Sequence, residues 1–427
     1  MNFSKLFIYS FCINILNKLI VFLSGAYLIR ILGKNEYGIY VYIISIITIL
    51  LIPIQFGISN LIVKETSRGI STGNQSIIKG LWIWSYKITI ALIIIIIVIL
   101  VLLYSFISDS YSDLELTTLL YGLTLLPFQT IILISSASLR GLGNIIEGQL
   151  PNQLLLPFTT FLMIIFYNSL LGNEIAANSV MIIRSFSTLF VASIALVFLV
   201  VKIPKSIVYL KPNFMGNIWL KTSLFLAFSS GLIFFRSHLN ILLIGILLDP
   251  SKVAIYQVSV SMAALSGITL QVINPILAPQ FASLHIKKEK EKLEILTKRS
   301  AQIVFLFTCL ITMLFILFGK YLIKVFFSSD LLEVYPILII LLFGQIINGY
   351  YGPVAFLLNM TGYEKDATKA ISFSTLFNLI TILLLTPIFG IKGTAISIIS
   401  SSSISQILMH RFVKKKLNID SVAFKVK

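Results

Sequence analysis

Apolar residues run along this chain in blocks separated by short polar breaks, from near its start to near its end. A helix needs about 20 mostly apolar residues to cross the hydrocarbon layer of a membrane. The pattern predicts twelve such helices, over 7–29, 39–61, 81–107, 116–137, 151–171, 176–200, 222–248, 253–280, 300–318, 334–358, 370–387 and 393–412. The fifth and sixth, and the eleventh and twelfth, have connections so short that their boundaries are the least firmly set. Proline interrupts several blocks, at Pro53, Pro127, Pro157, Pro275, Pro279 and Pro353, and proline in a membrane helix can mark a bend near a transport path. The first block exceeds the apolar length usual in a signal peptide. It also carries Asn14, Asn17 and Lys18 in its middle, so it is expected to be a retained span.

Composition agrees with this pattern. Apolar residues make up 57% of the chain and charged residues 11%, with a mean hydropathy of +0.99. No stretch of soluble composition is long enough for a separate globular domain. The net charge of +17 would point to nucleic acid in a soluble protein, but here its distribution points elsewhere. With the N-terminus inside, twenty-three Lys and Arg fall on cytoplasmic segments and six on outer ones. Cytoplasmic loops carry such an excess, so both termini are expected in the cytoplasm and nucleic acid is not an expected partner. The outer segment Ser108–Glu115 is acidic, as this orientation requires. Cys12 and Cys309 both fall within spans, without disulfide or metal-ligand spacing.

A faint repeat divides the chain. Tyr37-Gly38-Ile39-Tyr40 opens the second block and Val253-Ala254-Ile255-Tyr256 the eighth. Arg140-Gly141-Leu142-Gly143 follows the fourth and Met360-Thr361-Gly362-Tyr363 the tenth. Both pairs are separated by nearly the same distance, close to half the chain. The expected fold is therefore an all-α integral membrane protein of two six-helix halves, 1–200 and 222–427, joined by a basic cytoplasmic linker over 201–221. An even number of spans per half gives both halves the same orientation, the parallel type of transporter repeat.

The candidate chemistry lies in charge placement. All 16 acidic residues can be assigned to connecting segments, whereas Lys18, Arg184 and Arg236 sit deep within apolar blocks. A charge at the bilayer centre costs at least about 2.5–3.5 kcal/mol and usually marks a substrate path. A cationic, acid-free interior predicts an anionic passenger. Asn14, Asn17 and Lys18 share one helix face at i, i+3 and i+4. Arg236 occupies the first span of the second half, with Asn240 one turn on and His238 nearby but on another face. Arg30, at the outer end of the first span, can face a cavity mouth or fix the following hairpin. Lys87 lies near a span end, where its stem can snorkel. Gln55, Gln271, Asn274, Gln345, Asn348 and Asn378 can contact a polar passenger or bond between helices. No nucleotide-cradling glycine loop is present, so ATP is not an expected driver, and no cofactor or metal is expected.

Several segments resemble the polysaccharide-flippase (Wzx-type) branch of the multidrug/oligosaccharidyl-lipid/polysaccharide exporter superfamily. The hairpin Arg30-Ile31-Leu32-Gly33-Lys34-Asn35-Glu36-Tyr37-Gly38-Ile39-Tyr40 is similar to that family's R-x-L-G-x-x-x-Y-G-x-Y. Gln55–Asn60, Leu139–Asn144, Leu358–Lys365 and Phe389–Ala395 extend the resemblance along the chain. It implies a MATE-like fold and export of undecaprenyl-diphosphate-linked oligosaccharide repeat units, for O-antigen or capsule, across a bacterial inner membrane. The diphosphate is expected to bind Lys18, Arg236, Arg184 and Arg30 between the halves, with Asn14, Asn17, His238 and Asn240 lining a wet cavity. Membrane lipids and the polysaccharide polymerase machinery are the implied partners. A cation-coupled drug exporter of the same superfamily normally needs an intramembrane carboxylate, and none is visible. A polymerase or glycosyltransferase is opposed by short outer segments and by the lack of an acid pair. A peptidoglycan-precursor flippase is expected to have two more spans.

This topology has a direct check. Reporter fusions after Ser112 and Ser328 should read as outside, and fusions after Ser71, Lys211 and Lys292 as cytoplasmic. One reversed site among the five sinks the twelve-span reading.

Overall fold

The computed structural model describes residues 3–55, 57–103, 111–171 and 175–424. The first residues of the acidic outer segment, including Asp109, and the terminal Lys425 and Lys427 lie outside the described residues. Every described element is helical: α1 (Phe3–Gln55), α2 (Ile58–Ser71), α3 (Gln75–Leu102), α4 (Asp113–Leu123), α5 (Leu125–Gly141), α6 (Ile145–Leu150), a π-turn (Pro151–Leu155), α7 (Leu156–Leu171), α8 (Ala177–Lys202) and the short α9 (Lys205–Tyr209). There follow α10 (Gly216–Leu247), α11 (Pro250–Ser266), α12 (Ile268–Ile286), α13 (Lys290–Phe326), a 3-10 turn (Ser329–Leu331), α14 (Val334–Tyr351), α15 (Val354–Met360) and α16 (Glu364–Leu417). The chain forms two compact units, Met1–Leu239 and Asn240–Lys427, with the boundary inside α10.

Among the described residues, eight helical stretches are long and apolar enough to cross a membrane, or nine with the bent pair Pro250–Ser266 and Ile268–Asn274 counted as one span. The chain is thus a multi-pass membrane protein. Two helices, α1 and α16, are far too long for one crossing. Each is more than twice the length that spans a hydrocarbon layer, which takes about 20 helical residues. Each is broken at a glycine outside helical geometry, Gly33 (φ 73°) in α1 and Gly390 (φ 58°) in α16. Both glycines belong to motifs singled out in the sequence, and each turns one run of helix into two rods.

The second block does not end where its hydropathy does. The expected span 39–61 stops at Gln55, and a separate amphipathic helix, α2, begins at Ile58. Gly57 makes the break with a φ of 67°, and a Cβ there would lie 2.4 Å from the Ser223 carbonyl oxygen of α10. Hydropathy averaged over a span-length window does not register this break, because apolar residues flank Gln55–Asn60 on both sides.

The acidic residues are also placed differently from the sequence reading. Glu36, Glu65, Glu147, Glu291, Glu294 and Asp366 all stand on helices rather than in loops. Most lie near helix ends, where exposed backbone N–H groups and neighbouring lysines stabilise them.

In the first unit, Trp219, Trp82, Ile62, Leu81, Ile134 and Leu139 are buried in one core that joins α2, α3 and α5 to the start of α10. In the second, Phe281, Leu293, Val354, Leu357, Met409 and Val413 form the counterpart. The repeat is visible in backbone hydrogen bonds. Asn144 N–H donates to the Leu139 carbonyl at 2.9 Å around left-handed Gly143 (φ 87°). Tyr363 N–H donates to the Leu358 carbonyl, also at 2.9 Å, around Gly362 (φ 82°). The same helix-terminating turn, with its six-to-one hydrogen bond, therefore recurs in the second unit at the spacing of the sequence repeat.

The chain after α16 does not trail away. Ala423 N–H donates to the Tyr350 carbonyl at 2.9 Å, the Tyr350 hydroxyl donates to the Phe424 carbonyl at 2.8 Å, and Ile419, Ser421 and Ala423 are buried.

Gly57 and Gly143 differ in one respect that thermal unfolding in detergent can read. Gly143→Ala meets no atom within 4 Å and pays only the left-handed backbone cost of about 1–2 kcal/mol. Gly57→Ala carries that cost and also overlaps α10, typically about 1–3 kcal/mol more, so it should melt clearly earlier. Equal melting of the two variants would mean that α10 does not pack on Gly57.

An acid-free cavity in the first unit as the candidate functional site

The site is built where α1 grips α8. Glu36 and Tyr40 sit at i and i+4 on the second rod of α1 and face the same way. The Glu36 carboxylate accepts the Ala177 N–H, at the first residue of α8, at 2.8 Å. The residue preceding that end of α8 provides no side-chain cap, and a carboxylate there complements the helix dipole. Two turns further along α8, Arg184 Nη1 donates to the Tyr40 hydroxyl at 2.8 Å. The hairpin motif thus holds both the start of α8 and its membrane-embedded guanidinium.

Opposite Arg184 the chain departs from α-helical geometry. The π-turn Pro151–Leu155 begins at a proline, which has no N–H to give to the ladder. Such turns are frequent at functional sites because they redirect side chains and free carbonyls. Here Asn152 Oδ1 accepts from Gln129 Nε2 of α5 at 3.0 Å. The Gln153 carbonyl accepts from Asn17 Nδ2 on the first rod of α1.

Two cavities flank this seam and share Gln129, Asn152 and Arg184 in their walls. One, of about 340 Å³, is lined by the second rod of α1 as far as Gln55, by Ser59 and Asn60 of α2, and by Arg140 of α5. The other, of about 260 Å³, is lined by Asn17 and Ser24 of the first rod, by Tyr40, and by α7. Two guanidiniums and several amides line these spaces, and among the described residues no Asp or Glu does. A polar cavity with fixed charge of one sign concentrates the opposite sign inside it.

Of the residues predicted from sequence, Arg184 and Asn17 line the cavities, and Gln55 does too. The others do not line either one. Lys18 is half-buried and lies one residue past Asn17, which rotates it about 100° around the helix. Asn14 donates to the Ser10 carbonyl of its own helix at 2.8 Å. Arg30 is exposed, three residues before the Gly33 break. Arg236 and His238 are half-buried on α10. Asn240 is buried and hydrogen-bonds the Tyr256 side chain within the second unit. Two of the other predicted amides serve packing: Asn378 donates to Ser397 at 3.1 Å and Asn348 accepts from Gln406 at 3.1 Å.

Four contributors do not stand out as cavity residues in the sequence. Arg140 reads as a loop cation because it precedes Gly141, yet it is in the last turn of α5 and reaches the larger cavity. Gln129 and Asn152 are intramembrane amides beside Pro127 and Pro151, and that proximity is the available signal. Tyr40 is visible only as part of a motif. Glu36, outside the cavity walls, reads as a plain loop acid.

Comparison with known proteins places this geometry. The sequence pattern of the polysaccharide biosynthesis protein family matches residues 27–336, well over half of the chain. No curated protein sequence matches at a significant level. Among solved structures, the fold is similar to an inward-facing multidrug resistance MATE family transporter of the MOP superfamily, with a TM-score of 0.77, 14% identity and coverage of 94% of each chain. It is also similar to the lipid II flippase MurJ in an inward closed conformation, with a TM-score of 0.73, 15% identity and coverage of 96% of this chain and 87% of that one. A third likeness is to a MOP superfamily transporter from Pyrococcus furiosus, with a TM-score of 0.62, 14% identity and coverage of 97% of this chain and 95% of that one. With the hairpin, the broken long helices and the repeated turns, these matches make the chain a member of the polysaccharide biosynthesis protein family, a multi-pass membrane protein with the MOP-superfamily transporter fold.

Proposed function

We propose that this protein is a flippase. It moves undecaprenyl-diphosphate-linked oligosaccharide repeat units from the inner to the outer leaflet of a bacterial inner membrane, for assembly of a surface polysaccharide such as O-antigen or capsule. The observation that carries this reading is the cavity of the first unit, which presents Arg184 and Arg140 and, among the described residues, has no carboxylate in its walls. An anion is the ligand that such a site attracts, and Arg forks suit phosphate oxygens because they bind them two at a time. The amides Asn17, Gln129 and Asn152 supply donors and acceptors for sugar hydroxyls. Lys18 and Arg236 lie outside these walls and join the anion path as further proposed contacts. The polysaccharide polymerase machinery is the proposed recipient of the product.

The same reading takes the topology as twelve spans with both termini in the cytoplasm. The two rods of α1, the two rods of α16 and α10 supply the crossings beyond those long and apolar enough on their own. An inside-negative potential favours outward movement of an anion by about 2.3 kcal/mol per charge per 100 mV, so alternating access needs no nucleotide. The transporter from Pyrococcus furiosus offers a parallel on this fold, since reverse polarity of its binding pocket suggests a different function. A cation-coupled drug exporter would place an acid where this cavity has arginines.

Charge replacement tests the proposal. Arg184→Gln and Arg140→Gln should each cut surface polysaccharide by tenfold or more per molecule of membrane-inserted protein, given the roughly 1.5–3 kcal/mol typical of a hydrogen bond to a charged group. Arg184→Lys should fall between wild type and Gln, and Lys18→Gln and Arg236→Gln should also reduce output. Normal output per molecule in both arginine-to-glutamine variants would refute the cationic site.

The grip on α8 makes a separate prediction. Tyr40→Phe removes the acceptor for Arg184 but no charge, so export should drop only several-fold while protein abundance holds. Glu36→Gln keeps an acceptor for the Ala177 N–H and should be tolerated, whereas Glu36→Ala should lower the melting temperature. Loss of export in Glu36→Gln with intact protein would instead point to an acid-dependent exporter.

A further inference from the structure

The second unit contains a cavity that the flippase reading leaves unused. It has a volume of about 220 Å³ and lies where the end of α12, the start of α13 and the end of α16 meet. The lysine and arginine bias assigns this face to the cytoplasm. Its polar wall is His285, Lys288, Lys290 and Lys416, and its apolar wall includes Leu293 and Ile419, both buried. Among the described residues no acid lines it. Three acids, Glu289, Glu291 and Asp420, stand next in sequence to lining residues without lining the cavity themselves, and Glu289 is engaged by Lys292 at 2.7 Å. Tyr363, from the repeated Thr361-Gly362-Tyr363 motif, organises the cluster: His285 packs edge-on to its ring at 6.4 Å and the Lys416 ammonium lies over it at 5.9 Å.

The internal repeat supplies a control within the same chain. In the first unit the equivalent turn, between α2 and α3, is made by Gly73 with a φ of 71°. At the corresponding turn of the second unit, between α12 and α13, Lys288 stands with a φ of 58°. A lysine in left-handed geometry is strained where glycine is not, and such positions cluster at functional sites. The first unit also neutralises its counterpart of Lys416: Lys202, in the last turn of α8, pairs with Glu147 at 3.2 Å. Among the described residues, Lys288, Lys290 and Lys416 make no ion pair. The second unit has therefore put a cation where the fold prefers glycine and left these three lysines without an ion pair.

We propose that this cavity is a binding site for the phosphate headgroup of an anionic membrane phospholipid. The three lysines and His285 face the phosphate, and the half-buried Leu284 and Leu417, which also line the cavity, take the adjoining glycerol and upper acyl segment. This apolar lining favours a lipid over free phosphate, which offers nothing to cover it. Basic pockets at the cytoplasmic ends of membrane helices are suited to such headgroups. The proposal concerns a site separate from the first-unit cavity and stands whether or not that cavity carries diphosphate.

The test uses the purified full chain in detergent, with retained lipid read by native mass spectrometry and stability by thermal unfolding. Phosphatidylglycerol should be retained in preference to phosphatidylcholine and should raise the melting temperature. Replacing Lys288, Lys290 and Lys416 together by Gln should weaken retention by about fivefold per lysine, whereas the triple Arg variant should keep it. Lys288→Gly adds a control against misfolding, because it should melt no earlier than wild type in phosphatidylcholine yet bind phosphatidylglycerol more weakly. Equal retention of the two lipids, or unchanged retention in the triple Gln variant, overturns the proposal. So does displacement of phosphatidylglycerol by millimolar inorganic phosphate with the same stabilisation, which would mark a free-phosphate site.

Discussion

A guanidinium in the middle of a membrane helix has to face water, a partner or a ligand, because hydrocarbon cannot solvate it. Arg184 meets that constraint through Tyr40, and much of the first unit follows from how Tyr40 is placed. The tyrosine lies on a rod that starts at Gly33, and the same rod carries Glu36 to the start of α8. Breaking α1 at one glycine lets a single element hold α8 at its end and at its charge. The π-turn at Pro151 then brings Asn152 to Gln129 across from the arginine, so that polar side chains line the seam beside Arg184.

The two units solve one folding problem with different chemistry. Both end a helix with the same left-handed turn at Gly143 and Gly362, and both bury a comparable core beside it. They diverge in where charge is left uncompensated. The first unit pairs Lys202 with Glu147 at its helix ends and keeps cations without acids for the interior cavity. The second unit leaves Lys288, Lys290 and Lys416 together at its helix ends, around an aromatic ring. A shared architecture thus presents, among the described residues, an acid-free polar cavity inside one unit and a cluster of lysines without ion pairs at the helix ends of the other.

Much of this was legible in the sequence, for a definite reason. Membrane crossing is a demand on composition, met over about twenty residues at a time, and so hydropathy alone reveals the helical, multi-pass class. Charge excluded from hydrocarbon has the same local character, which is why Arg184 could be singled out from its position in an apolar block. The repeat was legible through Gly143 and Gly362, because left-handed backbone selects glycine whatever surrounds it.

Which cations share a cavity was decided only by tertiary structure. Asn17 and Lys18 are adjacent in sequence, yet one lines the cavity and the other does not, because a single step turns a helical side chain by about 100°. Arg140 looks like a loop residue until α5 is seen to carry it into the same cavity as Arg184. The break at Gly57 is hidden by the apolar residues on both sides of it, and there the backbone of α10 packs against the glycine. Local composition determines what can enter the membrane; contacts between segments far apart in sequence, as between Tyr40 and Arg184, decide what the protein holds there.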